Sequence, residues 1–231
     1  MARWLVRLSG ERMDLEEFPR WFPDGDVYAI EENAAFFLVG PALEGLPDAE
    51  AVLREALRVL DGFTAIISLL WPSLRKPVAS HVFRETDEGT RNAFVFLTGS
   101  VSARSKVHAP SVSLGAPLQP PQPTRAQELL KRARGSQHLE AALSLWADPI
   151  RSWSRLYRIL EDIEQHLGKR VDAAGFCSAR QRERFTRTAN TAEVSGADAR
   201  HAAGKFTPPV NPMRLSEAAE FIGRMLHSAL Q

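Results

Sequence analysis

The sequence predicts an α+β protein in two parts, an antiparallel sheet with helices in the first half and an all-α bundle in the second. Three observations carry that reading. Apolar residues alternate with period two in several short runs before residue 107, the pattern of strands with one buried face. After residue 124 they recur three and four apart, the helical spacing. Between these regions, residues 107–123 hold five prolines and no charge other than the titratable His108. Proline fixes φ and disfavours the α conformation in the residue before it, so this stretch reads as an extended strap. The expected organisation is an α+β sensor or interaction domain over 1–106, a proline-rich linker over 107–123 and a basic helical bundle over 124–231.

Each element follows from local chemistry. In Arg3–Leu8, the apolar Trp4, Val6 and Leu8 alternate with Arg3 and Arg7, a half-buried strand. Asp14 suits the cap of a short helix with Leu15, Phe18 and Trp21 inward. Val27–Ile30 and Ala35–Val39 read as strands joined through Glu31, Glu32 and Asn33. Pro47 and Asp48 suit the start of a helix carrying Val52, Leu53, Ala56, Leu57 and Leu60, and Gly62 its end. Phe63, Ala65, Ile67 and Leu69 restart the alternation, so a strand is expected there. Two further strands, near 78–84 and 91–97, flank the acidic turn Asp87-Glu88-Gly89. The order βαββαβ plus a hairpin is the split-βαβ, ferredoxin-like arrangement of an antiparallel sheet with helices on one face.

In the second half, helices are expected over 125–134 and 137–147, broken at Gly135-Ser136. Asp148-Pro149 looks like a cap followed by proline at the first helical position. The helix it opens would run to Gly168, with Ile150, Trp153, Leu156, Tyr157, Leu160, Ile163 and Leu167 as one apolar stripe. Ser178 and Gln181 form a capping box ahead of a strongly basic helix reaching Asn190. A last helix starts at Ser216 with Ile222, Met225, Leu226, Ala229 and Leu230 inward. The long polar segment between them, Thr191–Leu215, marks a functional loop.

Net charge hides an asymmetry. Residues 1–106 carry 12 Lys+Arg against 16 Asp+Glu, whereas 124–231 carry 17 against 12. The two parts thus face different partners or each other. Six histidines and a single cysteine do not suit zinc ribbons, iron–sulfur clusters or an internal disulfide, so Cys177 reads as a reduced thiol packed as a small hydrophobe. GxGxxG, GxxxxGK[ST] and HExxH are absent, and neither a metal nor a cofactor is implied. Met1–Gly10 has no signal-peptide core, and the longest uncharged apolar run, Gly62–Ser73, is too short for a bilayer of roughly 30 Å. A cytoplasmic protein without a membrane partner is expected.

Two groups of residues carry candidate chemistry. Between Lys169 and Arg187 stand Lys169, Arg170, Arg180, Arg182, Arg184 and Arg187 against Asp172 and Glu183, and Arg180, Arg184 and Arg187 share one helical face. Grouped cations bind phosphates by releasing condensed counterions, and arginine adds a planar two-pronged donor. The anion-binding set read from this is Lys169, Arg170, Arg180, Arg184 and Arg187; the alternative is a solvated or domain-docking face. The second group is Asn190, Ser195, Asp198, Arg200 and His201. A histidine exchanges protons near neutral pH and an adjacent arginine holds a phosphate, as a metal-independent ribonuclease requires. Arg200, His201 and Asn190 are the catalytic candidates. Their structural alternative has Asn190 capping the basic helix, Asp198 paired with Arg200, and His201 bonded to a backbone carbonyl. Glu161, Asp162 and Glu164 read as a solvated face pairing with nearby arginines, and Phe36, Phe37, Phe94 and Phe96 as core rather than a base-stacking sheet.

The segment Phe185-Thr-Arg-Thr-Ala-Asn190, with Gly196, Ala199-Arg200-His201, Pro208-Pro209 and Asn211-Pro212-Met213, resembles the tail of uncharacterised bacterial two-domain proteins. A short helical domain with a polar Arg/His motif in a late loop also resembles the HEPN superfamily. That resemblance implies an RNase or an RNA-binding scaffold of a toxin or phage-defence system. The family's usual motif is Arg, four to six residues, then His, and no arginine stands at that distance before His201. Arg132 with His138 and Arg75 with His81 do have the spacing. The expectation is a protein that binds RNA or another phosphate-bearing ligand. Its alternative is a non-enzymatic adaptor that assembles with copies of itself or with a partner protein.

Overall fold

The computed structural model describes residues 3–86, 90–95, 123–199 and 207–231. The Asp87-Glu88-Gly89 turn, Phe96, residues 107–122 of the strap, Arg200 and His201 lie outside them. The fold is α+β, as expected, and the chain divides into two compact units: Met1–Val59 with Arg75–Glu128, and Leu60–Leu74 with Leu129–Gln231.

The first unit is built on a sheet. Its elements are β1 (Arg3–Ser9), α1 (Arg12–Trp21), β2 (Tyr28–Glu32), β3 (Ala35–Val39), α2 (Pro41–Glu44), α3 (Ala49–Leu70), β4 (Val78–Glu85) and β5 (Arg91–Val95). The strand order is β2-β3-β1-β4-β5, with every neighbouring pair antiparallel. β1 and β2 therefore run the same way with β3 inserted between them, and β3 and β4 run the same way with β1 between them. Those are two interlocked split βαβ units. β5 adds one more strand at the edge.

Several expectations are corrected. The run Phe63–Leu69 is not a strand: α3 continues through it to Leu70, with Gly62 inside the helix. Phe63, Thr64, Ala65, Ile66 and Ile67 are all buried, and a stretch buried on consecutive residues carries no period to tell strand from helix. The fourth strand of the βαββαβ order is consequently β4, and α3 belongs to the first unit through Val59 and to the second from Leu60. Asp14 is not the cap of α1, which starts two residues earlier with Glu11 at the N-cap position. The β2–β3 turn is Asn33-Ala34, both at positive φ, rather than Glu31–Asn33. Asp48 does cap α3, its Oδ1 accepting from the Ala51 amide at 2.8 Å.

β1 is buried on both faces rather than one, since Leu5 is fully enclosed beside Trp4 and Val6. Leu5 packs with Phe37 and Val39, and Tyr28, Ile30, Ala35 and Phe83 lie against them. Ion pairs border this patch. Arg3 binds Glu85 and, at 3.1 Å, Glu32; Arg91 binds the same two carboxylates at 2.9 and 2.7 Å.

The second unit is helical. It holds the end of α3 together with α4 (Arg125–Arg134, from Leu129 onward), α5 (Gln137–Ala147), α6 (Trp153–Leu167), α7 (Ala179–Asn190), α8 (Ala192–Ser195) and α9 (Leu215–Ala229). The break at Gly135-Ser136 and the Ser178/Gln181 capping box are as expected. α6 begins at Trp153, capped by Ser152, not at Asp148-Pro149. Ile150 accordingly leaves the apolar stripe and is 72% exposed. The rest of the stripe holds: Trp153, Leu156, Leu160 and Ile163 are buried, and Phe185 of α7 stacks among Trp153, Tyr157 and Phe221. Gly223 of α9 lies against the Trp146 ring, where a Cβ would come within 2.9 Å of it.

Candidate functional site

The basic row on α7 has the expected helical face, but its members are occupied differently. Arg184 makes a two-pronged pair with Glu217 at 2.5 and 2.9 Å, and its Nε donates to the Asn211 carbonyl at 2.6 Å. It pins the segment entering α9, and the same bond holds the Glu217 carboxyl below the usual range. Arg187 donates twice to the Thr207 carbonyl and pairs with Glu183. Arg182 grips Glu164 at 2.6 and 2.8 Å, which raises its own proton affinity further. Arg170 binds Asp172 at 2.8 and 3.0 Å. Lys169 and Arg180 remain exposed with no carboxylate partner among the described residues. Cys177 beside this row is half-buried, and burial followed by the Asp172 charge pushes its thiol up, away from a reactive thiolate.

The polar loop after α7 is largely structural where it is described. Asp198 accepts from the Trp153 amide and from the Ser154 hydroxyl, the latter at 2.8 Å. It caps the start of α6 from 44 residues away in sequence. Ser195 donates to the Thr188 and Thr191 carbonyls, and Thr191, not Asn190, stands at the C-cap of α7. Asn190 is only 8% exposed, and its Oδ1 has no hydrogen-bond partner among the described residues.

A constellation the sequence showed only in fragments lies between α5 and α6. Ser136 caps α5 and accepts from the Leu139 amide, while its Oγ lies 2.9 Å from Nδ1 of His166. His138, in the first turn of α5, places Nδ1 4.0 Å from Oδ1 of Asp162. The Asp162 side chain is 5% exposed, against 37% for His138, so the reading of this carboxylate as solvated is corrected. Its other oxygen receives Nε of Arg158 at 3.4 Å. Positions 158, 162 and 166 are successive i,i+4 neighbours on α6, hence one row, whose Asp162 and His166 meet the start of α5. The sequence signal was available in that i,i+4,i+8 spacing of Arg, Asp and His beside Ser136 and His138, but only packing shows that the two elements meet.

The two spacing-matched Arg/His pairs have separate partners. Arg132 donates to the Leu230 carbonyl at 3.1 Å, whereas His138 meets Asp162. Arg75 pairs with Glu11, and His81 stacks on Phe83. Phe36 and Phe37 are buried as core, while Phe94 is 40% exposed. Among the described residues no group of three or more His, Cys, Asp and Glu is placed to hold a metal ion, and no helix is long and apolar enough to cross a membrane. Compared with known protein families, curated proteins and solved structures, the chain has no match.

Proposed function

We propose that the protein is an effector or regulatory protein that binds RNA or another phosphate-bearing ligand through its helical unit, acting as a metal-independent ribonuclease. One observation carries the reading. Once the internal ion pairs of that unit are made, Lys131, Arg134, Lys169, Arg180 and Arg224 stay exposed without a carboxylate partner among the described residues, against Glu193 and Glu220 on the acidic side. Unpaired surface cations are the groups that release counterions on meeting phosphate. The resemblance to the HEPN superfamily points to a defence or toxin setting, with Arg200 and His201 as further candidates for phosphate anchoring and proton exchange.

The purified protein is expected to carry nucleic acid, read as a raised 260/280 nm absorbance ratio, and to retain single-stranded RNA at low salt. A Lys169→Glu/Arg180→Glu variant should lose about tenfold or more in affinity, by the size of lost phosphate contacts. Protein free of nucleic acid that retains no RNA at low salt would overturn the reading. If rising salt then dissociates oligomers of the same preparation, the adaptor alternative stands, in which the acidic and basic halves of different copies associate.

A further inference from the structure

We infer that the α5–α6 seam is a proton-transfer site for a phosphodiester, with His138 and His166 as the two proton carriers. Ser136 and His138 stand two residues apart at the start of α5, and Asp162 and His166 one turn apart on α6. The contacts Ser136–His166 and His138–Asp162 therefore close the same seam and bring both imidazoles to one edge of the unit.

The two rings are not equivalent, and that inequivalence is what proton transfer in one step requires: one group gives as the other takes. His138 places Nδ1 4.0 Å from a buried carboxylate whose second oxygen is held by Arg158, and its Nε2 lies 3.5 Å from the side-chain amide nitrogen of Gln137. His166 meets a hydroxyl that can donate to or accept from Nδ1, and the residue is exposed. The charges around the seam lean positive: Arg158 lies on the α6 row with its Nε on Asp162, and Lys131 and Arg134 end the helix just before Ser136, against Asp162 itself and Glu140 in the first turn of α5.

The assignment takes from the proposed function only that the ligand carries a ribose phosphodiester. A ribose 2′-oxygen bonds to the adjacent phosphorus as the bond from phosphorus to the 5′-oxygen breaks. His166 takes the 2′-hydroxyl proton, and His138 gives a proton to the departing 5′-oxygen. A cyclic phosphate and a free 5′-hydroxyl result, no water or metal is consumed, and exchange with solvent restores both rings. Ser136 and Asp162 are positioning residues.

The test uses the full-length protein, a labelled single-stranded RNA and EDTA. Wild type is expected to cleave to cyclic-phosphate ends, with His138→Gln and His166→Gln each at least about 100-fold slower, the usual share of general acid–base catalysis, while RNA retention stays within twofold. Both substitutions are at solvent-accessible positions, and an unchanged unfolding midpoint confirms the fold. A wild-type rate in either variant, or RNA retained but not cut by wild type, overturns the inference while leaving RNA binding intact. If wild type retains no RNA, the reading above fails and inorganic phosphate decides this one. Shifts of both imidazole NMR signals on phosphate addition support the site, and unmoved signals overturn it.

Discussion

Asp198 illustrates how a polar residue that looks chemical in sequence is consumed by the fold. Its carboxylate takes the first amide of α6 and the Ser154 hydroxyl, satisfying helix donors that Ser152 alone does not reach. Asp198→Ala should cost about 1–2 kcal/mol, the usual range for a lost cap, read as a lower urea midpoint, whereas Ser195→Ala on the same loop removes only hydroxyl donations to carbonyls. The arginines divide by the same logic. Arg184 serves Glu217 and two loop carbonyls, and Arg180 serves nothing described. Arg184→Ala is expected to destabilise by about 2 kcal/mol, since it strips charge-assisted bonds from a part-buried group. Arg180→Ala should stay within about 0.5 kcal/mol and weaken only RNA retention. Equal stability of the two variants in denaturant titration would contradict that division.

At the scale of elements, the sheet carries a charged border whose effect depends on pH. Arg3 first, then Arg91, hold the Glu85 carboxyl below the usual range against the opposing effect of its burial. A carboxyl with a depressed folded-state pKa stabilises the protein above its unfolded value, and that stabilisation is lost as pH falls through the folded one. The stability gap between wild type and Glu85→Gln, on the order of 1 kcal/mol at neutral pH, should therefore close as the pH drops below about 4. A gap that persists at pH 3 in urea titrations would argue against the network. The helix α3 shows the converse dependence on context. Its second half is buried on successive residues, so Gly62 is tolerated within it at the cost glycine usually carries there, about 1 kcal/mol.

For the whole molecule, charge pairing decides more than charge counting. The basic half looks like a continuous cationic row in sequence, yet six of its carboxylates, at Asp162, Glu164, Asp172, Glu183, Glu217 and Asp148, each meet an arginine. What is left for a partner is a sparse set of cations on α4, α7, α9 and the turn after α6. RNA retention should accordingly fall with salt at a log–log slope corresponding to only a few phosphate contacts, at about 0.7 per contact for a single strand. A slope near zero would mean that the cations do not face the ligand.

The α+β class, the helix break at Gly135-Ser136, the Ser178/Gln181 box and most of the α6 stripe were legible in the chain because each depends on residues within a turn or two of one another. The split-βαβ order was legible too, but its fourth strand was misplaced, since Phe63–Ile67 is buried on five successive residues and loses the periodicity that names an element. The role of Asp198, the occupation of Arg184 and the meeting of Ser136 with His166 and of His138 with Asp162 were settled only by tertiary packing. Each joins residues between 24 and 45 positions apart, brought within hydrogen-bonding or ion-pair reach by packing of the chain. Local sequence sets backbone preference and burial pattern; which side chains finally touch depends on how distant surfaces exclude water together.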